Sequence, residues 1–218
     1  MRDLSFSHVE AVEALVGQID EFRQAVSTWD DLALLGPSRC HGWSVLDLVT
    51  HVRLGIEELA IASTSRTDLP ADHDAASYWR SHPDDRDVDP VTHILWLRRV
   101  ASAHRRPSAA VAHLESASTH ATAAVRAMPE GVVPFQGQRL RSGDLLATWV
   151  VELAVHQLDL GSDAEAPSGL GWTRATLEAL ADADLPAGLD DRSAVLVGLG
   201  RIPAPSSLAL ADSFPVSL

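Results

Sequence analysis

Five side chains between Leu145 and Asp159 fall on one stripe of a predicted helix. Leu145, Trp149, Glu152, His156 and Asp159 follow one another at steps of four, three, four and three residues, the spacing that places residues on one helix face. The surrounding positions are nearly all apolar, so the helix should be buried. Since a buried carboxylate is costly without a partner, we expect Glu152 to share a metal ion with His156, one turn further on.

His51 is the third candidate ligand, because it lies beside apolar residues on the core-facing side of an earlier predicted helix. Two imidazoles and one carboxylate are the ligands of a catalytic zinc site with an open coordination position. Non-heme iron uses a similar set, so the pattern predicts one divalent ion, zinc or another metal. Beyond these three ligands the pattern names no catalytic residue.

Simpler interpretations stay open at this point. Either histidine alone fits an ordinary core position, and Glu152 and His156 fit a simple ion pair. Asp47 and Asp159 are placed to accept hydrogen bonds from the second ring nitrogens of the histidine ligands; helix capping for Asp47 and a solvated helix end for Asp159 are the alternatives.

Three further side chains near the candidate ligands have less specific interpretations. Trp43 and Trp149 are pocket candidates, with an ordinary core role as the alternative. Cys40, the single cysteine, is predicted to be structural.

The apolar periodicity predicts four long amphipathic helices. They are expected at His8–Trp29, from Ser44 to Ala62, from Val91 to Met128 with a break at Pro107, and at 143–160.

The segments between and after these helices are less regular. Residues 63–90 are predicted to form a long loop with a helical turn at Tyr78 and Trp79. Residues 132–139 are predicted to form an extended connector, and Ser142 is predicted to be an N-cap. Shorter helices are predicted near 173–182 and 193–199. The expected fold is all-α in the main, a four-helix bundle over 1–162 with a short C-terminal extension over 163–218.

The amino-acid composition limits the classes of binding partner that the sequence favours. Seventeen basic against 30 acidic side chains give a formal net charge of −13, which disfavours nucleic acid and anionic membranes. No apolar run has the length of a membrane span, no signal peptide is visible, and one cysteine fits a reducing compartment. We expect a cytoplasmic protein whose partners are small molecules; the expected assemblies include a homodimer.

Two stretches resemble a known family. Arg39-Cys-His-Gly-Trp-Ser-Val-Leu-Asp-Leu-Val-Thr-His-Val52 and Val151-Glu-Leu-Ala-Val-His-Gln-Leu-Asp-Leu160 are similar to the two signatures of the mycothiol-dependent maleylpyruvate isomerase family, within the DinB-like metalloenzyme superfamily. The resemblance covers roughly residues 8 to 162. It implies a four-helix bundle in which His51, Glu152 and His156 bind zinc.

The resemblance also implies a cofactor and a reaction type. It implies that the thiol mycothiol binds at the metal, where it becomes a thiolate that attacks a small electrophile. The thiolate then either isomerises the electrophile by addition, rotation and elimination or is transferred to it. His41 stands where many relatives have proline, and the C-terminal region is shorter than that of the isomerase. Both departures favour a thiol transferase or pathway-specific relative. The alternatives are a thiol-free enzyme of this fold and a non-catalytic binding protein stabilised by metal.

Overall fold

The computed structural model describes residues 2–80, 90–161 and 165–218. The described chain is mainly α-helical, as predicted, with one small sheet. The helices, in chain order, are α1 (His8–Val26), α2 (Asp31–Leu34), α3 (Val45–Ala62), α4 (Ser77–Arg80), α5 (Pro90–Ser102), α6 (Ser108–Ala127), α7 (Ser142–Asp159), α8 (Leu170–Ala181) and α9 (Asp191–Gly198). The strands are β1 (Val132–Phe135) and β2 (Gln138–Arg141).

Helices α1, α3, α6 and α7 supply most of the core. Helix α1 packs along α7 and α6, and α3 packs along α6. Each helix buries residues at three- and four-residue steps, as α1 does with Leu15, Ile19, Phe22 and Val26, so that one apolar stripe faces its neighbours. Helix α7 is buried almost all round, because other elements cover it on every side.

Helix boundaries follow local sequence signals in most places. A capping box begins α3: the Ser44 hydroxyl accepts from the Asp47 amide, and the Asp47 carboxylate accepts from the Ser44 amide, which satisfies two amides at the helix start. Pro107 separates α5 from α6, which confirms the predicted break. The first helix ends at Val26 and not at Trp29.

The prediction for Ser142 was wrong. Ser142 is the first residue of α7, and no side chain caps this helix. Its hydroxyl instead accepts a hydrogen bond from the Gly131 amide, so it ties the helix start to the segment before β1.

The predicted extended connector is a β-hairpin. Strands β1 and β2 pair antiparallel, with Phe135 opposite Gln138. Gln136 and Gly137 form the two-residue turn with φ of 48° and 80°, the left-handed conformations that this tight hairpin turn requires. The hairpin also pairs with the preceding loop through Thr67. This loop contains the helical turn α4, which includes Tyr78 and Trp79 as predicted.

The C-terminal residues 165–218 form a second, smaller apolar cluster. Helices α8 and α9 pack on each other, and α8 packs on α7; Leu158 of α7 joins Leu177, Leu185 and Val195 in this cluster. The predicted domain boundary at 162 lies outside the described residues. Among the described helices none is long and apolar enough to cross a bilayer. The cytoplasmic location and the homodimer stay predictions.

Candidate metal centre

Helices α3 and α7 bring the three predicted ligands together. The Nε2 atom of His51 lies 3.0 Å from Oε1 of Glu152, and Nε2 of His156 lies 3.1 Å from the same oxygen. The two imidazole rings meet edge to face, with centroids 4.9 Å apart. Donor atoms from all three side chains lie within 4.8 Å of one another. Two ring nitrogens and a carboxylate oxygen therefore converge on one point.

The charges of these side chains depend strongly on one another. Burial by itself raises the pKa of Glu152, but the charge of His156 and hydrogen bonds from both imidazoles hold that pKa well below its usual range. Burial opposes protonation of His156, yet the Glu152 charge and the Asp159 hydrogen bond raise the pKa of His156 well above its usual range. Burial lowers the pKa of His51. Without a metal, Glu152 and His156 thus form an ion pair beside a neutral His51.

Asp159 lies behind His156, on the side away from Glu152. Its side chain is fully buried, and Oδ2 is 3.5 Å from Nδ1 of His156, so the alternative of a solvated helix end is wrong for this residue. The Arg201 guanidinium donates to both carboxylate oxygens at 3.0 and 3.2 Å. Although burial raises it, the pKa of Asp159 falls to about 2, because His156 and Arg201 stabilise the charged form. An aspartate in this place keeps the Nε2 atom of the imidazole directed at Glu152.

Asp47 has a different role. Its carboxylate accepts hydrogen bonds from the amide and the hydroxyl of Ser44 at 2.8 Å each, and Arg98 lies 3.9 Å away. Within the described residues no hydrogen bond joins it to His51. Helix capping, the alternative given above, describes these contacts, and Asp47 acts on His51 only by fixing the start of α3.

Cys40 lies closer to the site than a purely structural role suggests. Its Sγ is 3.1 Å from Oδ2 of Asp159 and 3.8 Å from Nδ1 of His156. The loop that carries Cys40 is fixed on α7, since the Arg39 amide donates to the Asp159 carbonyl. Cys40, His156 and Asp159 form a second set of converging donor atoms. The Nδ1 face of His156 is therefore enclosed by polar groups.

A cavity of about 590 Å³ opens onto the three candidate ligands. Trp43 and Trp149, both predicted as pocket residues, line it. The Trp43 ring lies 5.0 Å from the His51 ring. Trp149 lies across Gly55, where a Cβ atom would be 2.5 Å from Cη2 of the indole. Glycine at this position of α3 lets the indole approach the helix backbone closely.

His93 and Arg201 are among the cavity residues that sequence reasoning missed. His93 comes from α5, its ring 5.9 Å from Trp43 and 6.5 Å from His51. Arg201 follows α9, near the end of the chain. Neither occupies a periodic helix position next to another candidate, so no local pattern identified them.

The donor set fits a divalent ion. Imidazole nitrogens and a carboxylate oxygen are common ligands of zinc, and the low pKa of Glu152 keeps its ligand form available. His156 has its Nδ1 turned to Asp159, which leaves Nε2 as the donor. The adjoining cavity leaves room for a further ligand.

Comparison with known proteins places the chain in a family. Residues 15–161 match the mycothiol maleylpyruvate isomerase N-terminal domain. The chain belongs to this family. The resemblance drawn from the two sequence signatures is thereby confirmed, and the matched segment includes His51, Glu152 and His156 together with Cys40 and Asp159.

Solved structures support the same fold. A crystal structure of a mycothiol-dependent maleylpyruvate isomerase superposes with a TM-score of 0.56 at 17% identity. A histidine-to-alanine variant of such an isomerase gives the same TM-score at 16% identity, and in each case the match covers 80% of this chain and 69% of the other. No protein of curated function matches. Arg201 and the C-terminal cavity wall lie outside the segment that the family match covers.

Proposed function

We propose that this family member is an enzyme that holds one divalent metal ion, zinc by preference, through His51, Glu152 and His156, and uses mycothiol as the nucleophile toward a small electrophilic substrate. The observation that carries the proposal is the convergence of two imidazole nitrogens and one carboxylate oxygen at the wall of a cavity. Membership of a family described by mycothiol supports the choice of thiol.

A bound divalent ion supplies positive charge that favours the thiolate form of a thiol at neutral pH. The protein's own groups prepare this function. Glu152 contributes a negative charge at the wall of a mainly aromatic and apolar cavity, and Asp159 with Arg201 fixes the tilt of the His156 ring. Trp43 covers both imidazoles, with ring centroids 5.0 and 6.3 Å away, and so limits the access of water.

Mycothiol held beside these residues would supply a nucleophilic sulfur. In transfer it would form a C–S bond with an electrophilic carbon of the substrate, while the leaving group would depart with its bonding pair and the thiol proton would pass to solvent. In isomerisation it would supply reversible addition to a conjugated double bond and would be released unchanged. Transfer is the reaction we favour, and isomerisation is the alternative that the family description supports.

The test is calorimetry on the zinc-loaded protein with mycothiol, in buffers of different ionisation enthalpy. We expect one binding event per chain, with release of about one proton near pH 7 since the thiol binds as thiolate. The same protein treated with a chelator is the control and should not bind the thiol. Binding without proton release, or no thiol binding by zinc-loaded protein, would contradict the proposal and favour a thiol-free enzyme or a binding protein.

A further inference from the structure

Five aromatic side chains line the cavity above the candidate metal centre. They come from α4, α5, α7 and the loop before α3, and Tyr78 and Trp79 among them are buried. Aromatic faces pack well on flat apolar or polarised rings. They are contributed by Trp43, Tyr78, Trp79, Trp96 and Trp149.

Cationic side chains are scarce at this site. The chain has no lysine at all, and Arg201 is the one arginine among the described residues that line the cavity. Its guanidinium donates through Nε and Nη2 to both oxygens of the buried Asp159, so the pair has no net charge. A substrate carboxylate therefore finds no arginine or lysine on the described walls that lacks a carboxylate partner.

Three further polar side chains of the wall are hydrogen-bonded to one another. The Tyr78 hydroxyl donates to Oε1 of Gln136, and Nε2 of Gln136 donates to Oε2 of Glu58. Glu58 thus adds a negative charge at the cavity mouth. With a divalent ion, Glu152 and a thiolate in place, the charges near the reacting sulfur cancel, and Glu58 leaves the cavity negative overall.

From this distribution we infer, resting on the function proposed above, that the electrophile is an uncharged molecule with a flat ring and not a carboxylate. Maleylpyruvate carries two carboxylates, so this chain differs in substrate class from the isomerase that gives the family its name. The aromatic walls stabilise the ring, and Glu58 disfavours an anion by like-charge repulsion.

A matched pair of electrophiles tests the inference on zinc-loaded protein with saturating mycothiol. The pair is 2-chloro-1,3-dinitrobenzene and 4-chloro-3,5-dinitrobenzoate, which differ only by the carboxylate. In each, the thiolate forms a C–S bond at the ring carbon that bears chlorine, and chloride leaves with the bonding electrons. We expect kcat/KM, divided by the uncatalysed rate, to be at least about tenfold higher for the uncharged compound. An equal or higher value for the carboxylate would overturn the inference.

Charge reversal at the cavity mouth provides the second arm. Glu58→Arg should reduce the preference for the uncharged compound by about tenfold, because the repulsion becomes an attraction. Glu13→Arg makes the same charge change on the exposed face of α1, far along the chain from the cavity wall, and should leave the preference unchanged. An unchanged preference in Glu58→Arg, or an equal change in both variants, would contradict the inference.

A thiol-free measurement separates this inference from the proposed function. Quenching of tryptophan fluorescence by the unreactive pair 1,3-dinitrobenzene and 3,5-dinitrobenzoate reports binding in the cavity directly. If neither chlorinated compound reacts and mycothiol does not bind, the proposed function fails. Tighter binding of 1,3-dinitrobenzene then still supports the ligand class, whereas equal or tighter binding of the benzoate overturns it.

Discussion

The two ring nitrogens of His156 lie on opposite sides of the imidazole, and different regions of the chain surround each side. The Nε2 side, called the ligand face below, is built by helices α3 and α7, which bring His51 and Glu152 to it. The Nδ1 face is closed by Asp159, by Cys40 from a loop, and by Arg201 from the C-terminal region.

The candidate metal ligands and part of the cavity wall therefore come from different segments of the chain. The candidate ligands fall inside the segment that matches the family, residues 15–161. Arg201, Leu199 and residues 215–218 line the cavity from outside that segment. A chain built in this way can keep the candidate ligands unchanged while substitutions in the C-terminal region alter the cavity beside them.

The largest expected effect comes from the ligand face. Glu152→Gln keeps the shape and one acceptor oxygen but removes the charge that balances a divalent ion, so zinc affinity should fall by about 100-fold or more. His156→Ala should have a similar effect. The measurement is competition with a chromophoric chelator, with Glu58→Gln as the control that changes a cavity carboxylate outside the ligand set.

Thermal unfolding of the same variants separates binding from folding. Both should stay folded near the midpoint of the metal-free wild type. Stoichiometric zinc in both variants would show that the ligand set is wrong. If both unfold while the metal-free wild type does not, Glu152 and His156 are a structural pair.

A smaller effect is expected from Asp159, on the other face. Its folded pKa of about 2 lies below the usual 3.8, so it stabilises the fold by about 2 kcal/mol above pH 5. This contribution to stability is lost as the pH falls through the pKa that Asp159 has in the folded protein. Asp159→Asn should therefore lower the free energy of unfolding by about 2 kcal/mol at pH 7 and by much less at pH 2.

Urea unfolding of chelator-treated protein at these two pH values measures this contribution. Asp212→Asn, a change at an exposed aspartate, is the control and should alter neither value. A constant difference between wild type and Asp159→Asn across the pH range would show that the loss comes from packing and not from charge.

The ligand face could be predicted because regular helices encode it. Glu152 and His156 are four residues apart on an apolar helix, and His51 lies on the core-facing side of another. Helical periodicity then fixes which face each side chain takes. The same logic predicted the four long helices and the break at Pro107.

The other face could not be predicted, because long-range packing creates it. Arg201 lies 42 positions from Asp159 in sequence, and Cys40 lies 119 positions from it. Nothing local distinguishes Arg201 from the other arginines on the chain. The hairpin was missed for a related reason: Pro134 and two glutamines obscure the alternation of two short strands, and pairing across Gln136 and Gly137 decides the structure.

The smallest expected effect tests whether the C-terminal region acts on the metal centre through Arg201. Arg201→Gln removes both hydrogen bonds to Asp159 and frees the carboxylate to reorient, so the His156 ring loses part of its support. Zinc affinity should fall by about tenfold, the lower end of the effect of partners that orient a ligand.

Arg174→Gln is the matched control, since Arg174 binds Glu178 and Asp191 within the C-terminal region and does not line the cavity. Both variants should lose some stability, but only Arg201→Gln should weaken zinc binding. Equal zinc affinity in the two would mean that the C-terminal region shapes the cavity without supporting the ligands.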